Sequence, residues 1–268
     1  MICSAGIGYR SMIELMDARE RRALLPFYAD TQDTLLLSGL QGHLGRGFLS
    51  DNGQSALLMV QGFVFLSGKA DGDFLAQAMA ACDPGCFLTF SGSDDWLLQA
   101  EKWGAVIPMT RYRLETPAVF DVKRLQQLAA EPAGFQVVAA DEPLYRACLS
   151  LPWARDCVSA FSGYEHFRER GMAVMALQEG AIVAACGAYA FSDGQWEVEI
   201  DTHPAFRRRG LATACGAKFI LCCLERGVKP HWDAMTSISM ALAQKLGFCH
   251  PQAYHVQCRE ENKQYEEI

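Results

Sequence analysis

The sequence predicts an α/β protein of the α+β kind: a mixed, mostly antiparallel sheet flanked by helices, preceded by a smaller α/β domain. Three observations predict it. Residues 173–202 read as three strands in series joined by tight polar turns, the mark of an antiparallel meander. The last of these strands then opens a strand–helix–strand–helix–strand–strand run, and a sheet built from hairpins plus a crossover helix carries helices on its faces. The first half alternates strands and helices separately, and the pattern restarts after the polar, proline-marked Glu115-Thr116-Pro117. The expected domains are therefore 1–116, an α/β domain without an assigned role, and 117–268.

The elements follow in order. Residues 12–25 carry apolar positions at helical spacing. Residues 56–60 and 63–67 are short β-rich runs around Gln61-Gly62, a hairpin signal. Residues 73–82 read as a helix ended by Asp83-Pro84-Gly85, and 86–90 as a strand. Residues 94–103 read as a helix capped by Ser93 or Asp94, with Gly104 just past its end; 105–114 are extended. In the second half, 122–130 is a helix, 136–139 a strand, and 144–149 and 155–170 are helices, the latter stopped at Gly171. The meander strands are 173–177, 181–191 and 195–202, joined by Gln178-Glu179-Gly180 and Ser192-Asp193-Gly194. His203-Pro204 breaks the chain before a helix over 210–225, with 211, 215, 219 and 222 on one face and Gly227 as its stop. A strand at 231–234, a helix over 237–245, the stop Gly247 and a final hairpin over 248–258 complete the reading.

Half of the 268 residues are apolar, enough for a substantial core. The formal net charge of −7 argues against nucleic acid or an anionic membrane as partner, outside a local basic patch. The only dense basic run is Arg207-Arg208-Arg209, so any anion site is small and local. No stretch reaches the about 18 apolar residues of a membrane span. MICSAGIGYRSMIELMDARERR becomes charged too soon for a signal peptide. The expected location is the cytoplasm, with the 11 cysteines reduced and mostly buried. Cys82-x3-Cys86 has no second pair nearby. Cys249, His250, His255 and Cys258 have the chemistry of zinc ligands. They straddle the predicted hairpin, however, where neighbours point to opposite faces, so no metal is expected.

Chemistry concentrates in one turn. After Ile200-Asp201-Thr202, Pro204 breaks the strand, and Arg207-Arg208-Arg209-Gly210-Leu211-Ala212-Thr213 leads into a helix. The first helical turn has N–H groups with no intrahelical partner, and the macrodipole makes that end positive. A diphosphate is a natural occupant. Gly210 lets the backbone approach the anion, Ala212 keeps the next position small, the arginines add charge-assisted contacts and Thr213 offers a hydroxyl.

These residues resemble the GNAT superfamily of N-acetyltransferases, whose acetyl-CoA signature Q/R-x-x-G-x-G/A corresponds to Arg207, Gly210 and Ala212. The segments 197–213, 222–227, 230–234 and 242–248 are similar to a bacterial subfamily with an extra acetyltransferase-like N-terminal domain. The likeness covers about residues 120–258. It implies acetyl-CoA as co-substrate and a strand at 195–202 that splays from the strand at 231–234. It implies main chain at Ile200, Asp201 and Thr202 pairing with pantetheine, and amides from Arg208 through Leu211 to Thr213 around the pyrophosphate. Where the superfamily often has an Asn before the last helix, this chain has Thr236. Where it often has a Tyr as general acid, this chain has Ala243. Thr236 and Ser239 are the expected cofactor contacts there, and Ser237, Ser239 or water can replace the missing proton donor.

Attack by an amine on a thioester requires the amine to lose a proton, and a carboxylate serves as base. Glu197, Glu199 and Asp201 alternate with Trp196, Val198, Ile200 and Thr202, so period two places the acids on one face. Glu199 is the first candidate base and Glu197 the second, unless a bulge re-aims the strand. His203 is a solvated turn residue or a phosphate contact. Trp232, Trp153, Tyr164 and Phe167 read as packing residues, and Asp233 as a partner for the arginine turn. The expected function is transfer of acetyl from acetyl-CoA to a primary amine of a small molecule, by direct attack in a ternary complex. The alternatives are a non-catalytic acyl-CoA-binding module and a protein or peptide N-acetyltransferase. For residues 1–115 the two uses in view are a wall of the acceptor pocket and a homodimer surface.

Overall fold

A computed structural model of the chain describes residues 12–83, 85–103 and 106–259. The expectations placed on the first 11 residues, on Pro84, and on Gly104 and Ala105 lie outside the described residues. The chain divides into two compact units, Met1–Met109 with His255–Ile268, and Thr110–Tyr254.

The first unit contains β1 (Met12–Leu15), α1 (Thr34–Leu40), β2 (Arg46–Ser50), β3 (Ser55–Val60), β4 (Phe63–Gly68), α2 (Gly72–Ala81), β5 (Phe87–Phe90) and α3 (Asp95–Trp103). The predicted helix over 12–25 is instead β1, antiparallel to β2, followed by a 3-10 segment over Glu20–Phe27. The reason is Arg21. Its buried guanidinium donates to the carbonyls of Leu15, Gly39, Leu44 and Gly45, which draws three chain segments together and overrides the helical spacing. The β3–β4 hairpin forms as expected, with Gln61 and Gly62 both at positive φ. Phe48, Leu57, Leu66, Phe74, Leu75 and Trp96 fill the core between sheet and helices.

The second unit contains most of β6 (Val106–Glu115), then α4 (Val122–Leu128), β7 (Gln136–Ala139), α5 (Glu142–Leu149), α6 (Tyr164–Arg170), β8 (Ala173–Gln178), β9 (Ala181–Ser192), β10 (Gln195–Thr202), α7 (Leu211–Glu225), β11 (Lys229–Ala234), α8 (Ser237–Leu246) and the start of β12 (Cys249–Arg259). Its strand order is β6-β11-β10-β9-β8-β7, antiparallel except for β10–β11. Thus the sheet is open, mixed and mostly antiparallel, as predicted. α7 packs on one face, where Gly216 leaves room for Leu246 and Ile200. On the other face the predicted helix over 155–170 is broken into a 3-10 turn, Arg155–Cys157, and the short α6. A Cβ at Gly187 would lie 2.0 Å from the Cys157 carbonyl oxygen, so the turn rests directly on β9 and cannot continue as a helix. The final predicted hairpin is the single strand β12.

The same element order occurs twice. β1, helices, β2-β3-β4-α2-β5-α3-β6 is repeated as β7, helices, β8-β9-β10-α7-β11-α8-β12. The last strand of each run is exchanged: β6 pairs with β11, and β12 pairs with β5 through Gln257 and Cys258. The division therefore falls inside β6 rather than at residues 116/117, and the end of the chain belongs with the first unit.

Candidate functional site

β10 and β11 are the one parallel pair of the second unit among the described residues. That pairing covers Gln195–Glu197 against Lys229–His231. β10 then continues to Thr202 and β11 to Ala234, while β9 follows β10 along its whole length. The two strands therefore open into a cleft beyond Glu197 and His231. Along the cleft the main chain of 198–202 has one edge that β11 does not take.

The cleft leads to the arginine turn. His203 opens a 3-10 turn over Pro204–Phe206, accepting from the Ala205 N–H at 3.4 Å. Arg208 and Gly210 both take left-handed backbone, at φ 61° and 80°. This curls the chain into a concave run of amides, a shape that binds anions. Gly210 is the N-cap of α7 and brings no side-chain cap, so the first-turn N–H groups of Leu211, Ala212 and Thr213 stay open. A Cβ on Gly210 would meet nothing nearer than Pro132 at 4.0 Å, so the space above it is free. Arg207 and Arg209 are steadied by the carbonyls of Thr202 and Ala205, and Arg209 lies 5.2 Å over the Phe206 ring. Lys245 of α8 adds a charge here by donating to Thr213 Oγ1 at 3.3 Å. Sequence reasoning missed it, because it arrives from an element 32 residues away.

The acids come together as alternation predicted, with an addition. The register irregularity between Glu197 and Val198 is absorbed by β9, which supplies the extra residue Tyr189, so β10 keeps its alternation. Trp196 and Ile200 turn to the α7 side, against Phe219 and Gly216. Glu199 and Asp201 face the 3-10 turn, whose Asp156 acts electrostatically on both. Asp156 was missed because 155–170 read as one helix, whereas Gly187 seats a separate turn on the sheet. Burial first, then Asp201 and Asp156, pushes the Glu199 carboxyl up to about 8. Burial and Asp156 push Asp201 up to about 6, against Arg207. Glu197 is buried, at the last paired position opposite His231. A carboxyl poised near neutrality beside a cleft is suited to proton transfer.

The β11 side differs in part from expectation. Asp233 does not meet the arginine turn. It pairs with the buried Arg111 at 2.7 Å and accepts from the Tyr254 hydroxyl at 2.5 Å. Burial and Asp233 push that phenol up, so it holds its proton and is a poor acid. Thr236 caps α8, its Oγ1 accepting from the Ser239 N–H at 3.1 Å, and Ser239 Oγ accepts from Trp232 Nε1 at 3.1 Å. Both residues thus stand at the open end of β11, with their oxygens already engaged. Ala243 is fully buried and offers no proton donor. Trp232 is core, as predicted, and Phe167 and Tyr164 pack with Tyr145. Trp153 instead stands edge-on to His203, which meets Phe206, so it walls the turn.

A family model described as GNAT acetyltransferase matches residues 25–257. A GCN5-related N-acetyltransferase-like protein from Streptococcus suis 89/1591 is similar in structure, with a TM-score of 0.82 and 33% identity over 90% of this chain and 99% of that one. A GCN5-related N-acetyltransferase from Kribbella flavida shares the fold at a TM-score of 0.53 and 17% identity, over 93% and 97% of the two chains. An uncharacterized N-acetyltransferase, YdfB, of Bacillus subtilis (strain 168) is 31% identical over 90 residues. That match spans 33% of this chain and 34% of that relative, about a third of the length of each.

Proposed function

The chain belongs to the GNAT acetyltransferase family, and on that premise we propose that it moves an acetyl group from acetyl-CoA to a primary amine of a small molecule, by direct attack in a ternary complex. One observation carries the reading: the β10–β11 cleft starts at Glu197 and His231, passes Glu199 and ends at the uncapped N-terminus of α7. A CoA laid along it has its pyrophosphate on the amides of Arg208 to Thr213, beside Arg207, Arg209 and Lys245. Its pantetheine follows the edge of Ile200, Asp201 and Thr202 that β11 leaves, where the Ile200 N–H meets Glu199 Oε1 at 3.3 Å. Its thioester then lies at the narrow end, next to Glu199.

The chemistry follows from that placement. The acceptor arrives as an ammonium, attracted by Asp156, Asp201 and Glu199. Its charge draws Glu199 toward the ionised form, and the carboxylate takes one proton from the nitrogen. The freed amine attacks the thioester carbon; the C–N bond forms and the C–S bond breaks. The thiolate leaves and is protonated, through water, by the proton that the new amide nitrogen sheds, since Ala243 provides no donor. Holding both reactants in one cleft supplies much of the rate.

Free thiol release from acetyl-CoA, measured across a panel of primary amines including ethanolamine, tyramine, spermidine and an aminoglycoside, tests the proposal. Amine-dependent release with a matching acetylated product is expected. CoA binding without release on any amine would favour the second reading, a non-catalytic acyl-CoA-binding module, which the buried Ala243 and the capping role of Thr236 support.

A further inference from the structure

Three donors of different kinds converge in the second unit, on strands other than β10. They are the Glu115 carboxylate at the end of β6, and the Cys249 thiol and His250 imidazole at the start of β12. One ligand atom from each lies within 4.8 Å of the other two. His250 Nε2 is 4.0 Å from Glu115 Oε2, and Cys249 Sγ points at the Glu115 carbonyl oxygen at 3.6 Å. No other group of three or more such donors occurs among the described residues.

The alternation of a strand should send Cys249 and His250 to opposite faces. His250 escapes this because its backbone is left-handed, at φ 47°. That conformation is disfavoured for a residue with a Cβ, and such strain recurs where a side chain is aimed for a purpose. Here it turns two neighbouring side chains the same way. The end of β6 is held in place separately, since Thr116 Oγ1 donates to the Pro230 carbonyl at 2.6 Å.

We propose that Glu115, Cys249 and His250 form a binding site for a borderline-soft divalent cation, Zn²⁺ in the first instance, with water in the fourth position. The mixed sulfur, nitrogen and oxygen set suits zinc better than calcium or magnesium, which take oxygen alone. Zinc–ligand distances of about 2.0–2.3 Å set the ligand atoms roughly 3.3–3.8 Å apart. The observed group closes to that by rotation of two exposed side chains, Glu115 and His250. The cation would clip the end of β6 to the start of β12.

Cobalt titration of the reduced, full-length protein at pH 7.5 tests the site, because a thiolate ligand gives Co²⁺ a strong near-ultraviolet charge-transfer band. One equivalent of Co²⁺ is expected to develop the band, and Zn²⁺ to abolish it. Cys249→Ser should remove the band, and His250→Ala and Glu115→Gln should each weaken Zn²⁺ affinity at least about tenfold. Affinity should also fall as pH is lowered, because metal binding releases protons from its ligands. All three residues lie at the surface or half-buried, so the variants keep the fold; an unchanged melting temperature without metal verifies this. Absence of the band, its persistence in Cys249→Ser, or equal affinity in all three variants would overturn the proposal.

Discussion

Among the described residues each unit has one parallel strand pair, and the two pairs have opposite fates. β4 and β5 stay zipped from Phe63–Leu66 against Phe87–Phe90, a register of almost wholly apolar residues. β10 and β11 part after Glu197 and His231, and their short register, Gln195–Glu197 against Lys229–His231, is mostly polar. The helices that follow differ in the same sense. α2 begins under its own carboxylate: Asp71 accepts from the N–H groups of Asp73 and Phe74 at 3.0 Å each. α7 begins at Gly210 with nothing over its amides. A capped, acidic helix start repels phosphate, whereas a bare start among arginines attracts it. One topology used twice thus yields one candidate CoA site, in the second unit.

The largest expected effect comes from making the second helix start resemble the first. Gly210→Glu puts a carboxylate over the α7 amides and a Cβ at φ 80°, and should weaken CoA binding at least about 100-fold while the fold persists. Calorimetric titration would measure this, with the wild type giving one CoA per chain. Two equivalents, or retained affinity in the folded variant, would break the comparison.

Next in size is Glu199→Gln. Turnover should fall roughly 100-fold while CoA affinity stays within about threefold. The wild-type kcat/KM should rise with pH as the carboxyl, pushed up to about 8, ionises; in the variant this limb should vanish. Without ligand, the same carboxyl makes stability depend on pH. The folded protein keeps a proton that the unfolded chain loses near 4.5, so the advantage is full below that value and is lost as pH rises toward about 8. Melting temperatures of the variant should slope less across this window. An unaltered rate would pass the role to Glu197.

The smallest effect belongs to Asp71→Ala. Loss of the α2 cap should cost about 1 kcal/mol in urea unfolding and leave CoA affinity unchanged. A change in CoA affinity would mean that the two helix starts are less separate in function than their chemistry indicates.

Local features of this molecule were legible in the sequence. β7 and β10 have the predicted bounds, because alternation and flanking turns fix them. The arginine-glycine turn and the acids of β10 were found for the same reason. What escaped depends on distant partners. Arg21 turns a helical pattern into a 3-10 segment by binding carbonyls up to 24 residues away. Asp156 reaches the acids because Gly187 lets a turn sit on the sheet, and Lys245 reaches Thr213 from the next helix. The strand exchange escaped altogether, since nothing within β6 or β12 names its neighbour.

That exchange has a consequence for the order in which the chain is made. β5 leaves the ribosome early, but the strand that pairs with its Phe87 and Leu88 is β12, the last strand of the described residues. Until residues 257–258 emerge, one edge of the first sheet stays unpaired, and exposed edges invite aggregation. A nascent chain stalled or truncated before β12 would therefore be a client for chaperones, although most of its first unit has already been translated.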